Sequence, residues 1–143
     1  MHVAFGPPGR LNPRTGVSEQ GDTNVSVIVS GGLVNFSLKG TLGTPTNAAE
    51  TFLRLSLAPE GSGRTATLIS AEEDTEREVY QFKYDVDRGP SRPPLRAISA
   101  IAAGKPAGST LLTLTVTAPK ESWEGDSKFA SKLEKIASTF HTT

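Results

Sequence analysis

The chain has 143 residues, fifteen basic and fifteen acidic, and contains no cysteine. That length holds one domain with a real core and is short for two. Balanced charge removes the global field that draws nucleic acid or an anionic bilayer, and the lack of cysteine excludes disulfides, thiolate metal sites and a cysteine nucleophile.

Residues 1–23 are rich in Gly, Pro, Asn and Asp, with turn signals at Pro7-Pro8-Gly9 and Asn12-Pro13. They read as an irregular N-terminal arm with one short strand around Val3 to Phe5, and residues 24–143 read as a single domain. Asn24 to Val29 is the first clear strand, with Val25, Val27 and Val29 on one face. Gly31-Gly32 ends it, and a weaker strand over Leu33 to Leu38 follows. Gly43-Thr44-Pro45 opens a helix, because Thr44 caps free N–H groups and Pro45 suits the first helical position. Ala48, Ala49, Phe52 and Leu53 supply its inner face. Pro59 to Gly63 stops it.

Arg64 to Glu72 and Arg77 to Asp87 read as an antiparallel pair joined by the acidic turn Glu73 to Glu76. In the second strand Tyr80, Phe82, Tyr84 and Val86 alternate with Gln81, Lys83 and Asp85, which places the aromatics in the core. Arg88 to Pro94 is a proline-rich loop. Leu95 to Ala103 and Thr110 to Ala118 form a further antiparallel pair, the latter with Leu112, Leu114, Val116 and Ala118 on one face and mostly threonine on the other. A closing amphipathic helix follows Trp123, with Phe129, Leu133, Ile136, Ala137 and Phe140 as its apolar stripe. Consecutive strands on short turns, with helices in two separate places, give an α+β domain built on an antiparallel sheet.

Little in the sequence points to chemistry. Its two histidines, His2 and His141, lie at the chain ends, where neither a metal site nor a Ser-His-Asp arrangement finds a rigid scaffold. Gly31-Gly32 and Gly61-Ser62-Gly63 match no phosphate-binding fingerprint. Glu72, Glu73 and Asp74, with Glu76 nearby, are the one candidate for a hard cation, although EF-hand spacing is absent and a solvated hairpin tip explains them as well. No apolar run nears the roughly 18–20 residues that span a bilayer, and no signal or transit pattern follows Met1. The chain is therefore expected to be native to its compartment of synthesis or a mature form lacking a targeting segment.

Charge is segregated along the chain. Residues 60–87 carry eight acids and three bases, whereas residues 88–143 carry eight bases and four acids. Within the basic part, Arg88, Arg92 and Arg96 surround the proline-rich loop, a setting that suits recognition of carboxylates on a partner. Lys128, Lys132 and Lys135 share one side of the last helix. Solubilising charge is the plainer reading of the lysines, whereas for the arginine loop the two readings stand level.

Several segments, taken in order, resemble the PsbP family, the extrinsic lumenal proteins of photosynthetic thylakoids. They are Phe5-Gly6-Pro7-Pro8-Gly9, Asn24-Val25-Ser26-Val27, Gly43-Thr44-Pro45 with Phe52, Val79 to Tyr84, and Leu112 to Trp123 with its closing helix. The resemblance covers roughly residues 5–140. It implies an α/β/α sandwich around a central antiparallel sheet of about six strands, no enzymatic activity and residence in the chloroplast thylakoid lumen. It further implies peripheral docking on lumenal subunits of photosystem II, with no nucleic-acid partner and no transmembrane span. Support of the oxygen-evolving complex would come through retention of calcium and chloride. No tightly bound cofactor is expected, and calcium is the ion the resemblance implies. The arm is short for the ion-retaining subunit, and the family's metal-ligand histidines have no counterpart within the domain. Relatives act as assembly factors for photosystem I or II, which is the alternative role. A small-molecule site on the sandwich is a third reading, one that a deep pocket would revive.

Overall fold

The computed structural model describes residues 2–5, 10–11, 18–19, 23–31, 42–103 and 110–140. In chain order the strands are β1 (His2–Phe5), β2 (Arg10–Leu11), β3 (Ser18–Glu19), β4 (Asn24–Gly31), β5 (Thr65–Asp74), β6 (Val79–Asp87), β7 (Leu95–Ala103) and β8 (Thr110–Pro119). The helices are α1 (Pro45–Phe52), which continues into a π-helical turn Leu53–Leu57, then α2 (Lys120–Gly125) and α3 (Ser127–Ser138). Six strands make one sheet in the order β1-β4-β8-β7-β6-β5, with β2 and β3 paired separately. All pairings are antiparallel. The strand expected over Leu33 to Leu38 lies outside the described residues.

Strand register sorts the side chains onto two faces. Tyr80, Phe82, Tyr84 and Val86 of β6 share a face with Ala97 and Ile101 of β7, and α1 packs there through Ala48, Ala49 and Leu53. On the opposite face Ile98, Leu114, Val116 and Ala118 meet Trp123, Leu133 and Ala137. Helices thus cover both faces, which makes an α/β/α sandwich of the α+β class. The period-two pattern of β6 produces one side of the core and that of β8 the other. Because β4 and β5 lie far apart in the sheet, the α1 segment must cross the face to join them.

The local boundaries have identifiable causes. Thr44 Oγ1 accepts a hydrogen bond from the Asn47 N–H at 3.3 Å, and Pro45 occupies the first turn. Gly43 sits at φ 81°, a conformation that favours glycine, and its carbonyl accepts from the Tyr80 hydroxyl at 2.7 Å. One expectation is corrected. The β5–β6 turn is Thr75 to Glu78, two residues later than expected, because Asp74 accepts from both the backbone and the side chain of Arg77 and pins the turn there. The closing helix expected after Trp123 is α3, and the short α2 precedes it through the Trp123 segment. Asp126 leaves helical geometry between them (φ −139°, ψ 99°) and its carboxylate caps α3 through the Lys128 and Phe129 N–H groups.

The helical stripe is also narrower than expected. Leu133 and Ala137 are buried and Phe129 and Phe140 pack beside them, but Ile136 is 39% exposed. At 100° per residue Ile136 falls on the margin of that stripe, and Ala130 takes the other edge.

Candidate functional site

The three loop arginines point in three directions. Arg96 belongs to β7 and faces α2, where its Nε and Nη2 donate to Asp85 at 2.7 and 3.2 Å and Nη2 also reaches Glu124 at 3.4 Å. Lys120 Nζ lies 3.4 Å from the same Asp85 carboxylate. Burial pushes the Asp85 carboxyl up, but Arg96 and Lys120 together outweigh that and hold it below the usual range. The corner closes as the Trp123 Nε1–H donates to the Arg96 carbonyl at 2.9 Å and the Lys120 N–H to the Pro94 carbonyl at 2.9 Å. Arg96 is therefore an internal strut. Arg88 turns to the α1 face and donates from Nη2 to the Pro93 carbonyl at 2.7 Å. Arg92 stands exposed at the loop tip.

Lys128, Lys132 and Lys135 are all exposed along the outer side of α3. The same helix offers one acid, Glu134, whose Oε1 is 3.1 Å from Lys83 Nζ. Lys83 in turn lies over the Trp123 ring, 5.5 Å from its centroid. The lysine row therefore projects as net positive charge from a helix anchored at both ends. Asp126 caps its start, and Arg77 Nη1 donates to the Phe140 carbonyl at 2.8 Å at its close.

On the opposite face, among the described residues, α1 covers only part of the sheet. A cleft of about 760 Å³ lies between Phe52, Leu55 and Leu57 on one side and β4 and β8 on the other. Ser26, Thr113, Thr115 and Thr117 contribute hydroxyls to its floor. Beneath them Ser99, fully buried, lies 2.8 Å from both the Tyr84 hydroxyl and Thr115 Oγ1, so its burial is satisfied. Burial pushes the Tyr84 phenol up to about 12, with Ser99 and Thr115 pulling weakly the other way.

These elements form the same sequence of parts that the motifs traced: first strand, capped helix, aromatic strand, late strand and tryptophan corner. The family model described as PsbP matches residues 12–142. The chain belongs to the PsbP family. It is 31% identical over 122 residues to CyanoP of Thermosynechococcus vestitus (strain NIES-2133 / IAM M-273 / BP-1), an alignment covering 82% of this chain and 63% of that protein. The solution structure of cyanobacterial PsbP (CyanoP) from Synechocystis sp. PCC 6803 aligns with a TM-score of 0.64 at 24% identity, over 85% of this chain and 68% of that one. At that identity the structural likeness speaks for the fold. This PsbP-family chain spans less than two thirds of the length of its CyanoP relative.

Calcium, the ion associated with the PsbP resemblance, needs six to eight converging oxygen ligands. Glu72 and Glu73 are exposed and, as neighbours on β5, project to opposite faces of the sheet. Asp74 is committed to Arg77, whose hydrogen bonds hold its carboxyl below the usual range. Among the described residues no group of three or more His, Asp or Glu side chains is placed to hold a metal ion, so these described carboxylates do not fit that ion. No helix among them is long and apolar enough to cross a membrane.

Sequence reasoning missed two features of this PsbP-family domain. Arg77 read as the first residue of a strand, and only the fold brings it to the end of α3, more than sixty residues away in the chain. The cleft left one faint trace, the threonine face of β8, which read as a solvent face.

Proposed function

We propose that this PsbP-family chain is a non-enzymatic protein of the thylakoid lumen that docks peripherally on the lumenal side of photosystem II and supports the oxygen-evolving complex. The carrying observation is the exposed row Lys128, Lys132 and Lys135 on α3, held by caps at both ends of the helix. Three ammonium groups on a fixed helix face suit an acidic partner surface, and contacts of that kind act through charge steering that salt screens. Exposed Arg92 extends the basic character of this half of the chain. The proposed docking row leaves out Arg88 and Arg96, since Arg96 is engaged with Asp85 and Arg88 lines the cleft. Family membership supports the photosystem setting, and the described carboxylates assign no ion to this chain itself.

The test is reversal of all three lysines to glutamate, followed by binding to salt-washed thylakoid membranes. Each site is exposed, so folding is retained. The variant is expected to bind at least tenfold more weakly and to lose most of its salt dependence. Equal binding by variant and parent would remove α3 as the docking face. On native gels the chain is expected to travel with mature photosystem II, whereas travel with smaller precursors would make it an assembly factor.

A further inference from the structure

We propose that the cleft beside α1 binds a long-chain fatty carboxylate, with its head group at Arg64 and its chain lying along the α1 wall. The cleft is graded from one end to the other, and register shows how. Thr65 pairs with Asp87, so Arg64 and Arg88 stand opposite each other one step beyond the pair, and both line the same end. Thr117 and Asn24, which pair with each other, complete that polar end, where Arg88 is already engaged with the Pro93 carbonyl and Arg64 supplies the charge. Moving along the strands, the floor passes through the hydroxyls of Thr115, Ser26 and Thr113. It finishes among Ile28, Ile101, Leu111 and Leu42. From Thr117 to Leu111 is six residues of strand, or about 20 Å at the usual rise, a length suited to an extended acyl chain rather than a compact metabolite.

The wall carries the second argument. Leu55 is 65% exposed and Ile28 43% exposed, and both line this cleft from opposite sides. Large exposed apolar side chains lining one cleft mark a surface that gains by being covered. Leu55 sits two residues after buried Leu53 in the π-helical turn, and that spacing puts it on the other side of the helix, at the cleft. A ligand covering this wall must be apolar over most of its length, and the exposed Arg64 guanidinium at its polar end favours a negative head. A planar carboxylate matches the guanidinium fork. The volume, about 760 Å³, lies within the range of small-molecule sites. Nothing in this inference depends on where the protein docks.

The experiment is calorimetric titration of the full chain with decanoate, below its micelle concentration, and with decanol as the uncharged probe of the same length. Saturable binding of one decanoate per chain is expected. Arg64→Glu should weaken decanoate by about tenfold, the equivalent of one lost charged contact, while leaving decanol within about twofold. Leu55→Asp should weaken both probes. Arg64 and Leu55 are exposed, so unchanged far-UV circular dichroism is expected and serves as the folding control. Absence of saturable decanoate binding, or equal decanoate affinity in Arg64→Glu and the parent, overturns the proposal. Sedimentation showing a dimer that Leu55→Asp dissociates would assign the cleft to a second copy and overturn it equally.

Discussion

Asp85 holds two cations, and its carboxylate is where local chemistry meets the stability of the whole corner. Arg96 grips it with two nitrogens and Lys120 approaches from the first turn of α2, so strand β6, strand β7 and the helix converge on one charge. Burial opposes that charge, and the two bases overcome the opposition, leaving the folded carboxyl below its ordinary value of about 3.9. A depressed folded value means the unfolded state binds more protons as pH falls. The stabilisation is therefore complete above the ordinary value and disappears as pH drops through the folded one. Urea unfolding of Asp85→Asn between pH 6 and pH 3, a range of about three units around that value, should show a shallower decline in stability than the parent. Some slope will persist, since Asp74 is depressed in the same direction by Arg77. An unchanged slope in the variant would mean that Asp85 gains nothing from its partners. In the sequence, Arg96 and Asp85 were legible only as one base and one acid. Their pairing follows from β6–β7 register, where the two stand directly opposite.

The closing helices show how far periodicity reaches. Spacing alone places Leu133, Ile136 and Ala137 on one stripe, and the structure buries the first and third while leaving Ile136 at the rim. The reason is angular: a helix resting on a nearly flat sheet buries only the residues nearest the line of contact. Leu133→Ala is expected to cost about 2–5 kcal/mol, the range for a buried leucine. Ile136→Ala should stay below roughly 1 kcal/mol, as befits a surface site. Matched urea denaturation curves check the contrast, and equal losses would mean that α3 sits on the sheet in another rotation. The break at Asp126 was readable after the fact, because Asp followed by Ser-Lys-Phe is an N-cap pattern, but the run from Lys120 onward has no proline or interior glycine cluster to force it. What decides the break is the need for Trp123 to reach the Arg96 carbonyl while α3 turns back over β8.

At the scale of the molecule, one sheet serves two cores. β7 is buried on both faces, with Ala97 and Ile101 under α1 and Ile98 under Trp123, so neither helical layer can leave without exposing strands the other depends on. Trp123 fluorescence reports the α2–α3 side and far-UV circular dichroism the whole. Their urea transitions are expected to coincide within error. Separate midpoints would show that the layers unfold independently. The surfaces are as unlike as the cores are coupled. The α3 side carries a basic row suited to an acidic partner. The α1 side carries a cleft whose polarity runs from arginine to leucine.

The sequence by itself determined the elements and the class. Alternation in β6 and β8, the Thr44-Pro45 start and the amphipathic end are local patterns, set by two-residue and 3.6-residue periods that any reader of the chain meets. The PsbP kinship was legible for the same reason, since it rests on the order of those parts. Tertiary structure alone decided which charges remain available and where space is left open. Arg96 was spent on Asp85 across the β6–β7 pair and Arg77 on a carbonyl more than sixty residues away, the lysines were not, and the threonine face of β8 became a floor because α1 covers only part of its sheet face. Pairings and vacancies of that kind depend on register between distant strands, and no local pattern encodes them.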